Sequence, residues 1–406
     1  MVATIVPPMR RHEIPVLAAI LLDLLGFGMA FPDIQLRSEK LGAPGIVIGL
    51  ILAAMFAVQF VTSPWWGRLS DRIGRKPVAV ACTALSALSM VVYTYTDSIA
   101  GILASRIIAG LAAANVVAIQ AYMAEMSEEG ERGPAMGRIG AAISIGLIAG
   151  PFLGGQLVQL GGSQLMGGFA AAASGLAALI LIFAMSFVPP KPNPEAKSGP
   201  VFDLRLLSDI PNLRPMFLLA TVAWFALACL EGTFGRLISR RYEFPLHEFG
   251  VSFTEPQGVF GAIFGMESLV SFAIQGLLFA WITSRLNFRT VLRLGYILQG
   301  LGILLSPFAP TLSILFFVSA LFSAGGALAN PTVNTVCSNL VPESRQGELF
   351  GLLQSSRSIG FLLGPIIGGL LFDFGPALPY ILAGAVCVAA ALLVPAKHRL
   401  GSVEAT

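Results

Sequence analysis

Twelve apolar segments, each long enough to cross a hydrocarbon layer of ~30 Å at about 1.5 Å per helical residue, decide most of what this chain can fold into. They lie at roughly 14–32, 46–66, 78–96, 99–124, 136–158, 166–188, 215–238, 258–282, 290–308, 311–338, 348–372 and 377–395. Inside a bilayer every backbone N–H and C=O needs a partner within the protein, so segments of this length fold as helices. The expectation is an all-α membrane protein of twelve transmembrane helices in two pseudo-symmetric six-helix bundles. Charged residues make up only 12% of the 406 and mean hydropathy is +0.80, whereas a soluble domain is nearer a quarter charged. A net charge of +3 with no separate basic domain argues against a nucleic-acid partner.

The spans fall into six plus six. Between the sixth and seventh, Pro189–Arg214 contains Pro-Pro-Lys-Pro-Asn-Pro-Glu-Ala-Lys-Ser-Gly-Pro, the composition of a polar linker. This gives an N-terminal bundle over 1–188, a cytoplasmic linker over 189–214 and a C-terminal bundle over 215–406. With both termini inside, 18 Lys and Arg residues, among them Arg10 and Arg11, face the cytoplasm. Five face outside: Arg37, Lys40, Arg236, Arg240 and Arg241. That asymmetry predicts a multi-pass protein of the cytoplasmic membrane with both termini cytoplasmic. No small-residue cleavage site follows the first apolar run, which reads as an uncleaved span.

The halves also repeat in sequence. Gly137–Gly155 (GRIGAAISIGLIAGPFLGG) and Gly351–Gly369 (GLLQSSRSIGFLLGPIIGG) are offset by 214 residues and identical at 8 of 19 positions. Closely spaced glycines let two helices approach, and Pro151 removes a backbone donor and bends its helix. Two related halves imply a binding site at their interface near the bilayer midplane.

The connector between the second and third spans is the most specific motif. Gly67-Arg68-Leu69-Ser70-Asp71-Arg72-Ile73-Gly74-Arg75-Lys76-Pro77 suits a tight basic turn. Gly74 can take a left-handed conformation and Asp71 can cap a helix or pair with an arginine, while Gly67 permits close backbone approach. The ordered pattern resembles the loop 2–3 signature of the major facilitator superfamily, G-x-L-x-D-R-x-G-R-K-P. Leu25–Pro32 resembles that family's first-span pattern, and Arg106-Ile107-Ile108-Ala109-Gly110 its fourth-span R-x-x-x-G. Gly146–Gly155 matches the antiporter fifth-span pattern built on Gly146, Gly150, Pro151, Gly154 and Gly155. The chain is most similar to drug:proton antiporters of the tetracycline and multidrug efflux kind.

Coupling to protons needs titratable groups inside spans, where charge is costly. Asp23 sits near mid-depth in the first span and Glu267 similarly in the eighth, with Glu231 nearer the outer end of the seventh. Removal from water disfavours a carboxylate's charged form, which suits a proton carrier. Arg106 and Arg357 are the cations within spans. The resemblance gives Arg106 a proton-relay role, while Arg357 equally suits pairing with a carboxylate. It also sets Glu125 against Arg72 or Arg75 as a cytoplasmic latch. Gln59, Asn115, Gln120, Gln275, Asn334 and Gln354 are polar residues that either bridge helices or touch substrate. Phe27, Phe31, Phe56, Trp224 and Phe264 offer an apolar pocket.

Cys82, Cys229, Cys337 and Cys387 lie in apolar segments at spacings that form no metal or redox motif, and none of the three histidines falls in a span. With no nucleophile–base pair or phosphate loop, the chain reads as neither an enzyme nor a sensor. No cofactor or metal is expected. The resemblance implies a monomeric, proton-driven exporter of amphipathic small molecules working by alternating access. A solute importer or a lipid or glycolipid flippase of the same fold is the rival reading.

Overall fold

The computed structural model describes residues 13–127, 131–187, 205–210, 212–342 and 345–395. Most of the expected linker lies outside these, as do Arg10, Arg11, Lys191, Lys197, Lys397 and Arg399 of the expected cytoplasmic set. In chain order the helices are α1 (Glu13–Met29), α2 (Phe31–Lys40), α3 (Gly45–Ile73), α4 (Arg75–Tyr95), α5 (Ile99–Ala112), α6 (Asn115–Met126), α7 (Arg132–Ala184) and α8 (Arg205–Asp209). They continue as α9 (Leu213–Glu231), α10 (Phe234–Arg241), α11 (Pro256–Phe272), α12 (Phe279–Arg285), α13 (Phe288–Leu305), α14 (Leu312–Leu340), α15 (Gln346–Phe374) and α16 (Leu378–Leu393). A π-helical turn, Ala273–Leu278, joins α11 to α12. Two three-residue strands, β1 (Leu246–Glu248) and β2 (Val251–Phe253), form a small antiparallel hairpin.

Ten helices among the described residues are long and apolar enough to cross a membrane. One of them, Pro134–Ala184, holds two of the expected spans; its backbone leaves helical geometry at Gly161 and at Gly162, where φ is 75°. The last expected span is the shorter apolar helix Leu378–Leu393. Each of the twelve apolar segments therefore has its helix, and the protein is an all-α membrane protein.

Several boundaries differ from expectation. The first span does not stop at Pro32: α2 follows α1 after a single residue and runs to Lys40. Proline is tolerated in a helix's first turn, where its missing N–H has no intrahelical partner to lose. Arg37 is therefore helical and largely buried, and not a loop charge. Nor is the 67–77 stretch a loop. It is helical through Ile73, and only Gly74, at φ 98°, separates α3 from α4. A side chain at Gly67 would meet nothing within 4 Å, so the close approach expected there is absent. The seventh span breaks at Gly232–Thr233, directly after Glu231.

The chain forms two compact units. The first comprises Met1–Leu41, Ala54–Ala196 and Thr254–Gly261; the second comprises Gly42–Ala53, Lys197–Phe253 and Ala262–Thr406. In the first, α1 and α4 both lie along α7. Its core joins Val16, Ala19 and Ile20 to Val78 and Cys82, Ile119 and Tyr122, and Ile139 and Leu181. In the second, α9 lies along α15, and α13 along α14 and α16, around Leu219, Leu292, Tyr296, Val336 and Leu352. All four cysteines are buried as free thiols, in keeping with apolar packing.

Candidate functional site

Helix approach in lipid depends on small residues, because hydrocarbon tails are as apolar as leucine. The fifth-span motif shows how this works. A Cβ on Gly146 would come 2.9 Å from the Leu21 carbonyl, one on Gly150 2.8 Å from Gly28 Cα, and one on Gly154 would strike the Met29 backbone. This glycine stripe brings the first half of α7 down on α1 and fixes the depth of Asp23. On the other face of α7, a Cβ on Gly155 would strike the Gln257 carbonyl, and one on Gly261 would lie 2.5 Å from the Pro151 carbonyl.

Asp23 is 2% exposed. Asn115, placed at the start of α6 by the break after Ala112, donates from Nδ2 to Asp23 Oδ2, and Ser86 and Ser174 lie beside the carboxyl. No cation pairs with it among the described residues. The contact assigns Asn115 a helix-bridging position.

A second buried carboxylate was not legible as such. Asp33, fully buried in α2, accepts a 2.7 Å hydrogen bond from Tyr93 Oη and a 2.9 Å bond from Gln257 Nε2. The Tyr93 ring lies 5.4 Å from the Arg106 guanidinium and 4.9 Å from that of Arg37. Arg106 is 2% exposed; its Nε donates to Ser105 Oγ at 3.3 Å, and its Nη2 is buried without a hydrogen-bond partner. Arg37 also reaches the carbonyls of Tyr93, Thr94 and Thr96. Reading Pro32 as the end of the span hid Asp33; the Phe-Pro-Asp sequence, with proline in a first turn, was the available signal.

In the second unit Glu267 is 8% exposed, beside Ser319 and within electrostatic reach of Glu231. Glu231 in turn interacts with Arg357. The Arg357 guanidinium stacks over Trp224 at 4.9 Å and Phe361 at 5.6 Å, so an aromatic cage as well as a carboxylate holds this cation. The glycine stripe recurs: a Cβ on Gly360 would come 2.6 Å from Phe225 N, and one on Gly364 2.7 Å from Ala228 Cβ. Side chains at Gly369 and Gly49 would strike the backbone of Gly45 and Pro365 respectively. Arg236, expected among outward-facing charges, is 2% exposed; it pairs with Asp373 at 3.1 Å and lies 4.3 Å from the Phe372 ring. Asp373 Oδ2 also accepts the Gly45 N–H at 2.6 Å.

At the loop 2–3 motif the latch takes a definite form. Arg75, not Arg72, binds Glu125 at 2.9 Å, and it also binds Asp71 at 2.6 Å and Ser70 Oγ at 3.1 Å. Arg72 is exposed and Lys76 half-buried. Of the remaining pocket candidates, Phe27, Phe31, Gln59, Gln120 and Phe264 are half-buried, as are Phe56 and Trp224. Gln275, Asn334 and Gln354 are exposed.

Long apolar helices in two units, with glycine seams and carboxylates buried within them, define a multi-pass membrane protein. The family model of the Major Facilitator Superfamily matches residues 16–245 and 216–402, so the chain belongs to that superfamily and is a membrane transporter, not an enzyme. It is 29% identical over 378 residues to Multidrug resistance protein 2 of Bacillus subtilis (strain 168), covering 92% of this chain and 91% of that one. It is 25% identical over 386 residues to Quinolone resistance protein NorA of Staphylococcus aureus, covering 94% and 95%. Among solved structures, the human organic anion transporter MFSD10 (TETRAN) superposes with a TM-score of 0.62 at 22% identity, covering 96% of this chain and all of that one. A POT family transporter in complex with 5-aminolevulinic acid gives 0.76 at 12%, covering 95% of each. These two likenesses concern the fold.

Proposed function

We propose that the protein exports amphipathic small molecules in exchange for protons by alternating access. The observation that carries the reading is Asp23, a carboxyl buried in the first span with amide and hydroxyl neighbours and no cation among the described residues. A carboxyl placed within a span can take up and release a proton, so loading and release can bias a two-state transporter. Glu267 is its counterpart in the second unit, with Glu231 and Arg357 tuning the local charge. Arg106 relays through Tyr93 to Asp33, and Arg75 with Glu125 latches the cytoplasmic end. Phe27, Phe31 and Phe264 supply apolar contact, with Gln59, Gln120, Gln275, Asn334 and Gln354 as polar contacts. Relatives named for multidrug and quinolone resistance support drug-like substrates over solute import. We place the protein as a monomer in the cytoplasmic membrane with both termini inside, divided functionally into six-helix halves over 1–188 and 215–406 joined by 189–214.

The test is transport in proteoliposomes under an imposed pH gradient, with lipophilic cations, quinolones, tetracyclines and neutral drugs as probes and proton flux recorded in parallel. Opposed drug and proton movement is expected. Asp23→Asn is expected to keep drug binding and lose at least tenfold of coupled flux, with Glu267→Gln as the parallel variant. Drug movement without protons, or with them in the same direction, overturns the antiport reading.

A further inference from the structure

We propose that Arg285, Arg289 and Arg293 form a binding site for the phosphate headgroup of an anionic phospholipid. The three follow one another at four-residue intervals across the junction of two spans. Arg285 is the last residue of the span Pro256–Arg285; Arg289 and Arg293 occupy the first two turns of Phe288–Phe308. That position is the boundary between hydrocarbon and water, where lipid phosphates lie.

Two observations point to a ligand from outside the protein. First, the Nε atoms of Arg289 and Arg293 are shielded from solvent and have no hydrogen-bond partner. A buried donor without an acceptor is destabilising, and a charged one more so, unless something else fills the place. The other described guanidiniums of this unit have protein partners: Arg345 binds Asp209 and Glu348, Arg236 binds Asp373, Arg241 binds the Ala309 carbonyl and Arg357 stacks on Trp224. Second, the helix leading into the cluster presents an apolar exposed face: Trp281 is 61% exposed and Leu277 71%. A tryptophan one turn below a guanidinium is the usual interfacial arrangement, with acyl chains beside the ring and headgroups above it. The N-terminus of α13 is already capped, since Asn287 Oδ1 accepts the Thr290 N–H at 2.9 Å. The arginines, and not the helix terminus, therefore make the site.

The contrast with the loop 2–3 motif sharpens the assignment. In the second half the stretch Ala280–Arg289, offset by 213 residues from Gly67–Lys76, keeps basic charge but has Ser284 where Asp71 stands, and among the described residues no carboxylate takes the role that Glu125 has for Arg75. The first motif satisfies its arginine internally. The second leaves its charges for a phosphodiester, which accepts in the plane of a guanidinium fork as a carboxylate does.

The experiment measures phosphatidylglycerol retention by native mass spectrometry. It also measures the thermal unfolding midpoint in nanodiscs of phosphatidylcholine with and without phosphatidylglycerol. The intact protein is expected to retain phosphatidylglycerol and to unfold at a higher temperature when it is present. The triple variant R285Q/R289Q/R293Q is expected to bind it on the order of 100-fold less tightly and to lose the thermal shift, while its midpoint in pure phosphatidylcholine stays within a few degrees. Should the triple variant fail to fold, R289K/R293K keeps the charge but removes the fork, and its expected outcome is intermediate retention. Equal retention by the intact protein and the folded variant overturns the site. Reproduction of the full thermal shift by inorganic phosphate in pure phosphatidylcholine overturns the assignment to lipid.

Discussion

The two glycine seams share a backbone and differ in their polar ends. In the first unit Gly155 meets Gln257, Gly261 meets Pro151, and Gln159 Oε1 accepts the Thr254 N–H at 2.9 Å, just ahead of α11. In the second, Gly369 meets Gly45, Gly49 meets Pro365, and Asp373 accepts the N–H of Gly45, the first residue of α3. Gln159 and Asp373 stand 214 residues apart, the offset of the repeated motif itself. Each therefore holds the start of a helix from the same place. One is a neutral amide and the other a carboxylate backed by buried Arg236. Backbone approach tolerates no side chain and so keeps glycine in both copies; a hydrogen bond to an N–H needs only an oxygen, so the end group can take on charge.

Neutralising the charged seam is the largest test of that difference. Asp373→Asn keeps an oxygen for Gly45 and removes a charged partner of a guanidinium that is 2% exposed. Breaking a buried pair costs about 3–5 kcal/mol, and the one-third exposure of Asp373 reduces this to roughly 2–4 kcal/mol. Thermal unfolding in nanodiscs should show it. A change no greater than that of Gln159→Ala, about 1 kcal/mol for a neutral bond, would make the seams equivalent. Next in size is Gly154→Ala, where the new methyl strikes the Met29 backbone. Overpacking of this kind costs about 1–3 kcal/mol. Gly140→Ala, facing open space in the same helix, should instead be neutral or stabilising by up to ~1 kcal/mol. Equal behaviour of the two variants would remove the packing account of the motif.

These effects also mark what sequence could and could not give. Span positions follow from apolar length, and Asp23 and Glu267 declare themselves because charge within such a length is rare. The recurring Gly-Pro-x-x-Gly-Gly announces helix approach before any coordinates. Partners separated far along the chain do not show. Arg236 counts in the sequence only as one of the outer-side charges, and nothing there shows that Asp373, 137 residues on, lies beside it; Asp33 looks like a span terminus until α2 continues past Pro32. Helix rotation is equally hidden, so sequence alone does not separate the exposed Gln275, Asn334 and Gln354 from the half-buried Gln59 and Gln120.

The smallest test concerns how α2 and α10 are tied down. In the first unit Arg37 of α2 donates to the carbonyls of Tyr93, Thr94 and Thr96 at the end of α4. In the second, the end of α10 is held at Ala309, just past α13, by Arg241 at 3.2 Å and by Tyr242 Oη at 3.0 Å. A guanidinium keeps its protons throughout the accessible range, but a phenol does not. Burial, with a smaller contribution from Glu248 and partial opposition from Arg241, pushes the Tyr242 hydroxyl up from 10.0 to about 12. Because its folded value exceeds the unfolded one, the stabilisation is complete below about pH 10 and is lost as pH rises through 12. Half-exposure keeps the effect small. The intact protein should exceed Tyr242→Phe by about 1 kcal/mol or less at pH 8, and the gap should close between pH 10 and 12. A gap that stays constant across that window would mean the carbonyl at Ala309 is held by Arg241 alone, making the second anchor as indifferent to pH as the first.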